Sequence, residues 1–366
     1  MKERGFSLVE LMVVVVIFSL VTGAAFEIYL TMSELNLTET AKVDEQFETA
    51  VELQLLTNDI RNLGFCVPAV CSVASKDNLT KHEAKKWEGF SENEVTSKYS
   101  NIIGTDRLYI SDMGEIVSDF SNDGTESGDL DDNAFTTITN IKIDYSGYYA
   151  SLLEDPSIGD DHITVDVTDI DQDGNKTMND HDYKATKSLI IAHPTGNPVE
   201  GKRIKGNHNK KEQLIYFKVG ETLIHDFDIG DYVVPALCYH LKKPGSSSPF
   251  YDQPQVFTLA RNSDPFLEGV EDFQVMYHYD GDSDGNWEAD EWIHTLPTLG
   301  YSPNRLRSIK VTLMVRIPKR QSTEVDSRNS IQVIRNHRII NLNAEMRHYY
   351  RRIFTVDVVP RNIRMI

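Results

Sequence analysis

The chain has 366 residues, 40% apolar and 25% charged, with 37 lysines and arginines against 56 aspartates and glutamates for a net charge of −19. This is the composition of a foldable protein, long enough for one large domain or two ordinary ones, and it argues against disorder. The acid excess opposes a broad hold on nucleic acid or an anionic membrane surface, and three cysteines, Cys66, Cys71 and Cys238, are too few for a disulfide scaffold and lack the Cys-x-x-Cys pairs of structural zinc.

The first predicted element is an apolar helix. Lys2 and Arg4 precede sixteen uncharged residues, Leu11 to Phe26. A helix continued through Met32 spans roughly 33 Å, about one bilayer core, and the basic start orients it with the first residues in the cytoplasm and the remainder outside. Gly23, Ala24 and Ala25 imitate a secretory cleavage site, so a removable signal is one reading of this stretch. Glu10 speaks against it. A carboxylate at the mouth of an apolar run either protonates or finds a specific cationic partner, because an unpaired charge in hydrocarbon is costly.

Gly5-Phe6-Ser7-Leu8-Val9-Glu10 resembles the type IV prepilin signal. The resemblance implies that residues 1–5 are a leader cut after Gly5 by a prepilin peptidase in the cytoplasm and that the new terminus, Phe6, is N-methylated. It also implies that Glu10 meets the terminal ammonium of a neighbouring subunit during assembly. Some relatives at the very tip of a filament dispense with that acid, so its retention implies that this subunit docks beneath or beside another.

Beyond Glu27 the pattern becomes amphipathic, with Phe47, Val51 and Leu55 at four-residue steps and Leu56, Ile60 and Leu63 on an overlapping face. No proline lies between Phe6 and Phe65, and Gly64 is a natural stop. The expectation is one helix over 6–64, about 59 residues and roughly 88 Å long. Its membrane or filament-core half is 6–32 and its amphipathic half, packed on a head, is 33–64. Many major pilins carry a kinking proline where this chain has Glu27. A membrane-anchored enzyme would show the same amphipathic face.

The head is predicted over 65–366 as a β-rich unit. Strand-like runs are Asp106 to Ser111, Ile138 to Tyr145, Ser188 to Ala192, Leu214 to Val219, Tyr232 to Val234, Val256 to Leu259, Phe273 to Tyr279, Ile309 to Ile317 and Ile353 to Val359. The runs at 273–277 and 309–313 alternate as strands with one covered and one wet face do. The fold class is therefore α+β, a long helix against an antiparallel sheet. Pro194 to Lys211 and Lys243 to Gln253 read as surface loops, the first presenting Lys202, Arg203, Lys205, Lys210 and Lys211 as a solvated basic loop. Tyr145, Tyr148 and Tyr149 read as packing residues. Cys66 and Cys71 form either a small disulfide loop or two separate thiols.

Two acidic stretches carry metal chemistry. Asp280-Gly281-Asp282-Ser283-Asp284-Gly285-Asn286-Trp287-Glu288-Ala289-Asp290-Glu291 fits the calcium-loop pattern at each fixed position. Its candidate ligands are Asp280, Asp282, Asp284, Asn286, Glu288 and Glu291, hard oxygens at alternate positions that converge because Gly285 permits a sharp turn. The second stretch offers Asp169, Asp171, Asp173, Asn175, Thr177 and Asp180, with the shorter Asp180 in the closing position. A strand precedes the 280 loop where an EF-hand has a helix, so both ions are expected to be structural. No zinc-type His cluster, phosphate-binding Gly loop or Gly-x-Ser-x-Gly nucleophile motif occurs, and no catalytic role is expected.

Gly269-Val270-Glu271-Asp272-Phe273-Gln274-Val275-Met276-Tyr277, Arg307-Ser308-Ile309-Lys310-Val311-Thr312-Leu313-Met314-Val315-Arg316, and the ending from Arg352 to Asn362 resemble the carboxy-terminal half of PilW-type minor pilins. Asp59 to Cys66 resembles the end of their long helix. That resemblance implies insertion in the bacterial inner membrane and later residence in a type IV pilus, near its tip, where the subunit helps to initiate assembly. Its implied partners are other minor and major pilins, the prepilin peptidase and the inner-membrane assembly platform. A pseudopilin of a type II secretion system and a pilus-borne adhesin, with residues 70–250 as its binding surface, are the alternatives.

Overall fold

The computed structural model describes residues 8–64, 68–76, 90–103, 105–111, 150–166, 188–205, 214–218, 220–262, 264–282, 291–297, 299–318, 324–328, 330–334, 338–342 and 344–361. Its elements, in chain order, are α1 (Leu8–Asn62), β1 (Val73–Lys76), α2 (Glu92–Ser97), β2 (Arg107–Ser111), β3 (Ala150–Leu152), β4 (His162–Asp166), β5 (Ser188–Ala192), β6 (Val199–Arg203) and β7 (Leu214–Tyr216). They continue with β8 (Tyr232–Lys242), β9 (Phe257–Arg261), β10 (Asp264–Tyr279), β11 (Trp292–Ile293), β12 (Leu306–Arg316), β13 (Ser330–Ile334), β14 (Arg338–Asn341) and β15 (Arg351–Val358). The expected run at 138–145 and the tyrosines at 145, 148 and 149 lie outside the described residues.

The helix is 55 residues long and ends where glycine allows it to: Gly64 has φ +78°, the left-handed conformation that a side chain disfavours. Its amide is taken up by the Ser111 hydroxyl of β2 at 2.9 Å, so the stop is also a tie to the sheet. Thirteen of the described strands form one sheet in the order β15-β12-β10-β9-β8-β3-β4-β7, with β1, β2, β5, β6 and β11 attached, and the pairings are antiparallel.

The first core joins Leu53, Leu56, Ile60 and Leu63 of α1 to the sheet residues Phe273, Val275, Tyr277, Val311 and Leu313. The spacing 53, 56, 60 and 63 is the three-and-four step of one helix stripe. This corrects the expected face, because Phe47, Val51 and Leu55 are exposed. They sit around the helix from the buried stripe, and the sheet reaches only one side of α1.

The expectation of one wet face on β10 and β12 also fails. Asp272, Gln274, His278, Ser308 and Thr312 are buried as well. The cause is a two-stranded hairpin, β13–β14, whose Ile331 and Ile340 join Leu342, Met346 and Met314 in a small core with Met276 against it. The hairpin's chain thereby covers the second face. Beside it, Glu271 accepts from both Arg316 and Arg351, the latter at 2.5 Å through Nε, and the Tyr349 ring lies 4.7 Å from the Arg316 guanidinium. These buried charges join β10, β12 and β15. Burial holds the Arg316 guanidinium below its ordinary pKa, with Glu271 opposing that shift.

A third core, of Leu152, Ile163, Val165, Leu189, Ile191, Ile215, Phe217, Leu223, Phe227 and Val233 among others, fills the other face of β5 and β8. Here the sequence reading of 194–211 as a loop is wrong in its middle. Residues 199–203 form β6, paired with β5, and Lys202 and Arg203 are buried. Lys202 Nζ lies 2.5 Å from Glu200, and Glu221, 3.6 Å from Arg107, accepts the backbone amide of Arg203 at 2.7 Å and attracts its positive charge. Burial keeps the Glu221 carboxyl above its usual pKa although Arg107 and Lys202 pull it down. Lys205 is exposed, and Lys210 and Lys211 lie outside the described residues.

Candidate functional site

The two halves of α1 make different surfaces. From Leu8 to Leu37 its large apolar side chains are exposed, among them Val13, Phe18, Leu30 and Leu37. It is long and apolar enough to cross a membrane, and Glu10 stands in its first turn. Two hydroxyls in this half fold back on the helix, Ser19 Oγ donating to the Val15 carbonyl at 2.8 Å and Thr31 Oγ1 to the Glu27 carbonyl at 3.0 Å. That leaves the surface compatible with an apolar medium. Gly5 and Phe6 lie outside the described residues.

The other half is fastened to the head at both ends. Lys42 Nζ sits 4.1 Å above the Tyr350 ring just before β15, and the Arg361 amide just after β15 donates to the Arg61 carbonyl at 3.1 Å. Between these points β15 runs beside the helix in the same direction. Asp59 adds a polar clasp, accepting from Tyr239 Oη at 2.5 Å and Arg261 Nε at 2.9 Å. Burial, followed by Asp59, pushes the Tyr239 hydroxyl far above its ordinary pKa, so it remains the donor at any working pH. Asp59 was visible in the sequence only as part of a likeness; its partners are 180 and 202 residues away.

At the end of β10, Asp280, Asp282 and Glu291 bring carboxylate oxygens within 4.8 Å of one another. The register explains the convergence. Trp292 pairs with His278 and Ile293 with Tyr277, which folds the closing end of the loop back beside its opening end. The Tyr279 amide donates to the Glu291 carbonyl at 3.1 Å and the Asp280 amide to the Arg305 carbonyl at 2.9 Å. These are the first, third and twelfth positions of the calcium pattern, and their hard oxygens suit that ion. Asp284, Asn286 and Glu288 lie outside the described residues, as does the whole of the 169–180 stretch with Asp169, Asp171, Asp173, Asn175, Thr177 and Asp180.

Two residues beside the cluster were missed by the sequence reading. Arg307 of β12 pairs with Asp280, and His278 Nε2 lies 2.9 Å from Glu291 Oε2. Arg307 opens a motif quoted above and His278 falls in the strand-like run 273–279, yet nothing local marks them as neighbours of the loop. Trp292 is held between the His278 ring, 5.1 Å away, and Lys310 Nζ, 3.6 Å from its ring. Cations thus already stand at this rim, and an ion would share the carboxylates with Arg307.

Cys71 is a buried free thiol that burial pushes well above its normal pKa, while Cys66 lies outside the described residues. Burial, with Arg203 and Arg107 nearby, holds His240 well below its ordinary pKa and hence neutral.

Residues 1–26 match the family model for the prokaryotic N-terminal methylation motif, and residues 250–362 match that for the type IV pilus-assembly protein W. No curated protein matches the chain. Among solved structures, a type IV-like pilin from Thermus thermophilus is similar over 50% of this chain and 90% of its own, at 13% identity and a TM-score of 0.21. Two separate segments of the chain thus match pilin-related families, the methylation motif at its start and the pilus-assembly model over its last third, and the fold that joins them is α+β, a long amino-terminal helix with an antiparallel head.

Proposed function

We propose that the protein is a minor pilin, cut after Gly5 by a prepilin peptidase, methylated at Phe6, held in the bacterial inner membrane with its head outside the cytoplasm, and then built into a type IV pilus near the tip, where it helps to initiate assembly. The observation that carries this reading is the division of α1. Its head covers one stripe of the last turns and leaves the first thirty residues bare. A helix so exposed requires lipid first and other helices afterwards, since bare apolar surface in water is unfavourable. Glu10 supplies the docking charge, paired with the terminal ammonium of a neighbouring pilin in a medium that strengthens the attraction while making an unpaired charge costly.

The protein acts by geometry and carries no catalytic step. Its partners are major and minor pilins, the peptidase and the assembly platform. Calcium is part of the proposal: Asp280, Asp282 and Glu291, completed by Asp284, Asn286 and Glu288, hold one structural ion, and the 169–180 stretch holds a second by the same pattern. The decisive experiment is deletion of the gene with surface pili and protein secretion scored side by side. Loss of pili with secretion intact supports the proposal, and the reverse indicates a secretion pseudopilin. Normal pili with lost attachment indicate an adhesin.

A further inference from the structure

We infer that the head binds a second copy of this chain head to tail, the acidic, isoleucine-bearing loops 153–161 and 220–231 of one copy seating on the edge strand β15 of the other, between Arg352 on the strand and Arg361 just beyond it. The inference is independent of tip placement.

Three isoleucines stand out on the first surface: Ile158, Ile224 and Ile229 are 62%, 55% and 63% exposed. Each is fixed by a carboxylate that accepts its own amide, Asp226 for Ile158 at 2.8 Å, Glu200 for Ile224 at 3.1 Å and Asp155 for Ile229 at 2.7 Å. The two loops are also bonded to each other through Gly159 to Leu223 and Phe227 to Pro156. Leu223 and Phe227 beneath them belong to the third core. The backbone that presents the three isoleucines is already ordered, which lowers the entropic cost of binding. Around them residues 150–166 and 220–231 carry nine aspartates and glutamates and no lysine or arginine.

The chain provides the complementary surface. Residues 301–366 hold 14 lysines and arginines against 4 aspartates and glutamates, whereas the rest of the chain holds 23 against 52. Among the described strands β15 ends the sheet, and it presents exposed Ile353 beside exposed Arg352, with exposed Asp357 farther along and exposed Val359 and Arg361 just beyond. Apolar centres with opposite charge at their borders favour one orientation of contact and speed its formation.

The two surfaces cannot meet within one molecule. β15 lies at one margin of the sheet, beside α1. The loops adjoin β3, β4 and the start of β8 toward the other margin. In β8, Tyr239 holds Asp59 and Ala236 stands opposite Ser111, the partner of Gly64, so Tyr232 and the loop before it lie past the end of the helix. A contact between unlike surfaces, one beyond the stem and one along it, continues from copy to copy instead of closing as a two-fold dimer.

Full-length protein in detergent tests this with Ile158→Cys and Val359→Cys variants, mixed and treated with a short flexible bis-maleimide, the parent's native cysteines setting the background. The mixed 158–359 product should exceed both like-with-like products several-fold and fall several-fold as salt is raised from about 0.05 to about 0.5 M. Equal yields of the three products, or a yield indifferent to salt, would overturn the proposal. Ile158→Lys with Ile229→Lys should reduce association in sedimentation at an unchanged melting temperature; unchanged association also overturns it. So does a photo-crosslinker at position 158 that captures a different pilin in cells and never this chain. A normal mixed product in a strain whose pili are unaffected by deletion of the gene would count against the pilin role alone.

Discussion

Along α1 the same kind of side chain meets two fates. Leu53, Leu56, Ile60 and Leu63 are covered by the chain's own sheet, whereas Val13, Phe18, Leu30 and their neighbours stand exposed among the described residues. The last turns are thus a folding element, and under the proposal the first thirty residues of the helix are an assembly element, although one unbroken helix carries both. Phe47, Val51 and Leu55 extend the bare surface past the membrane half, on the side of the helix turned from the sheet. The apolar surface of this helix is thus only partly accounted for by the chain's own head.

That contrast is open to attack by mutation. The largest effect is expected from Glu10→Val, which removes the charge that the proposal pairs with a neighbouring subunit: incorporation into filaments should fall on the order of a hundredfold, the equivalent of about 3 kcal/mol for one broken pair in the filament interior, with the head's melting temperature unchanged. Assembly at the parent's level would refute the role given to Glu10. On the folding side, Leu56→Ala should cost about 2–5 kcal/mol by chemical denaturation, while Val14→Ala costs less than about 0.5 kcal/mol. Comparable losses at the two positions would erase the distinction.

Calcium comes next in size. If the 280 loop holds an ion, chelation should remove about 2.7 kcal/mol at a hundredfold excess over Kd, on the order of 5 °C in Tm. Asp282→Ala should abolish most of that dependence, since Asp282 is exposed and its loss alone leaves the fold intact. A Tm insensitive to chelator would dismiss the ion. The smallest effect concerns pH at α2. Glu94 is held down to about 2 by Lys243, 2.6 Å away, and by the amide and hydroxyl of Ser91 in a capping box. A folded pKa below the unfolded one stabilises above about 4.5, and that contribution disappears as the pH falls toward 2. Glu94→Gln should therefore be slightly less stable than the parent at neutral pH and equal to it near pH 2, as read by denaturation at each pH. The pair is partly solvated, so the difference is small.

Much of the frame was legible because it is local. The charge-free run, the acid at its mouth and Gly64 each announce themselves within a few residues, and α1 follows. The expected strand at 188–192 is β5 residue for residue, and those at 273–279 and 309–317 lie within or along β10 and β12. β6 was hidden because Glu200, Lys202 and Arg203 look like a solvated loop until Glu221 and Arg107 arrive from elsewhere in the chain. The wet face assigned to β10 was hidden for the same reason, since the hairpin that covers it comes from residues 330–341. At the acidic cluster the ligand spacing could be read, and the pairing of Arg307 with Asp280 could not.

By itself the sequence determined a membrane-competent helix, its end and a β-rich head, because each depends on periodicity or on one residue's conformational preference. Tertiary structure alone decided which helix stripe is buried, which charges are interior and which isoleucines are left outside. Those choices depend on partners up to 202 residues away, and burial is a property of the assembled surface that no local pattern contains.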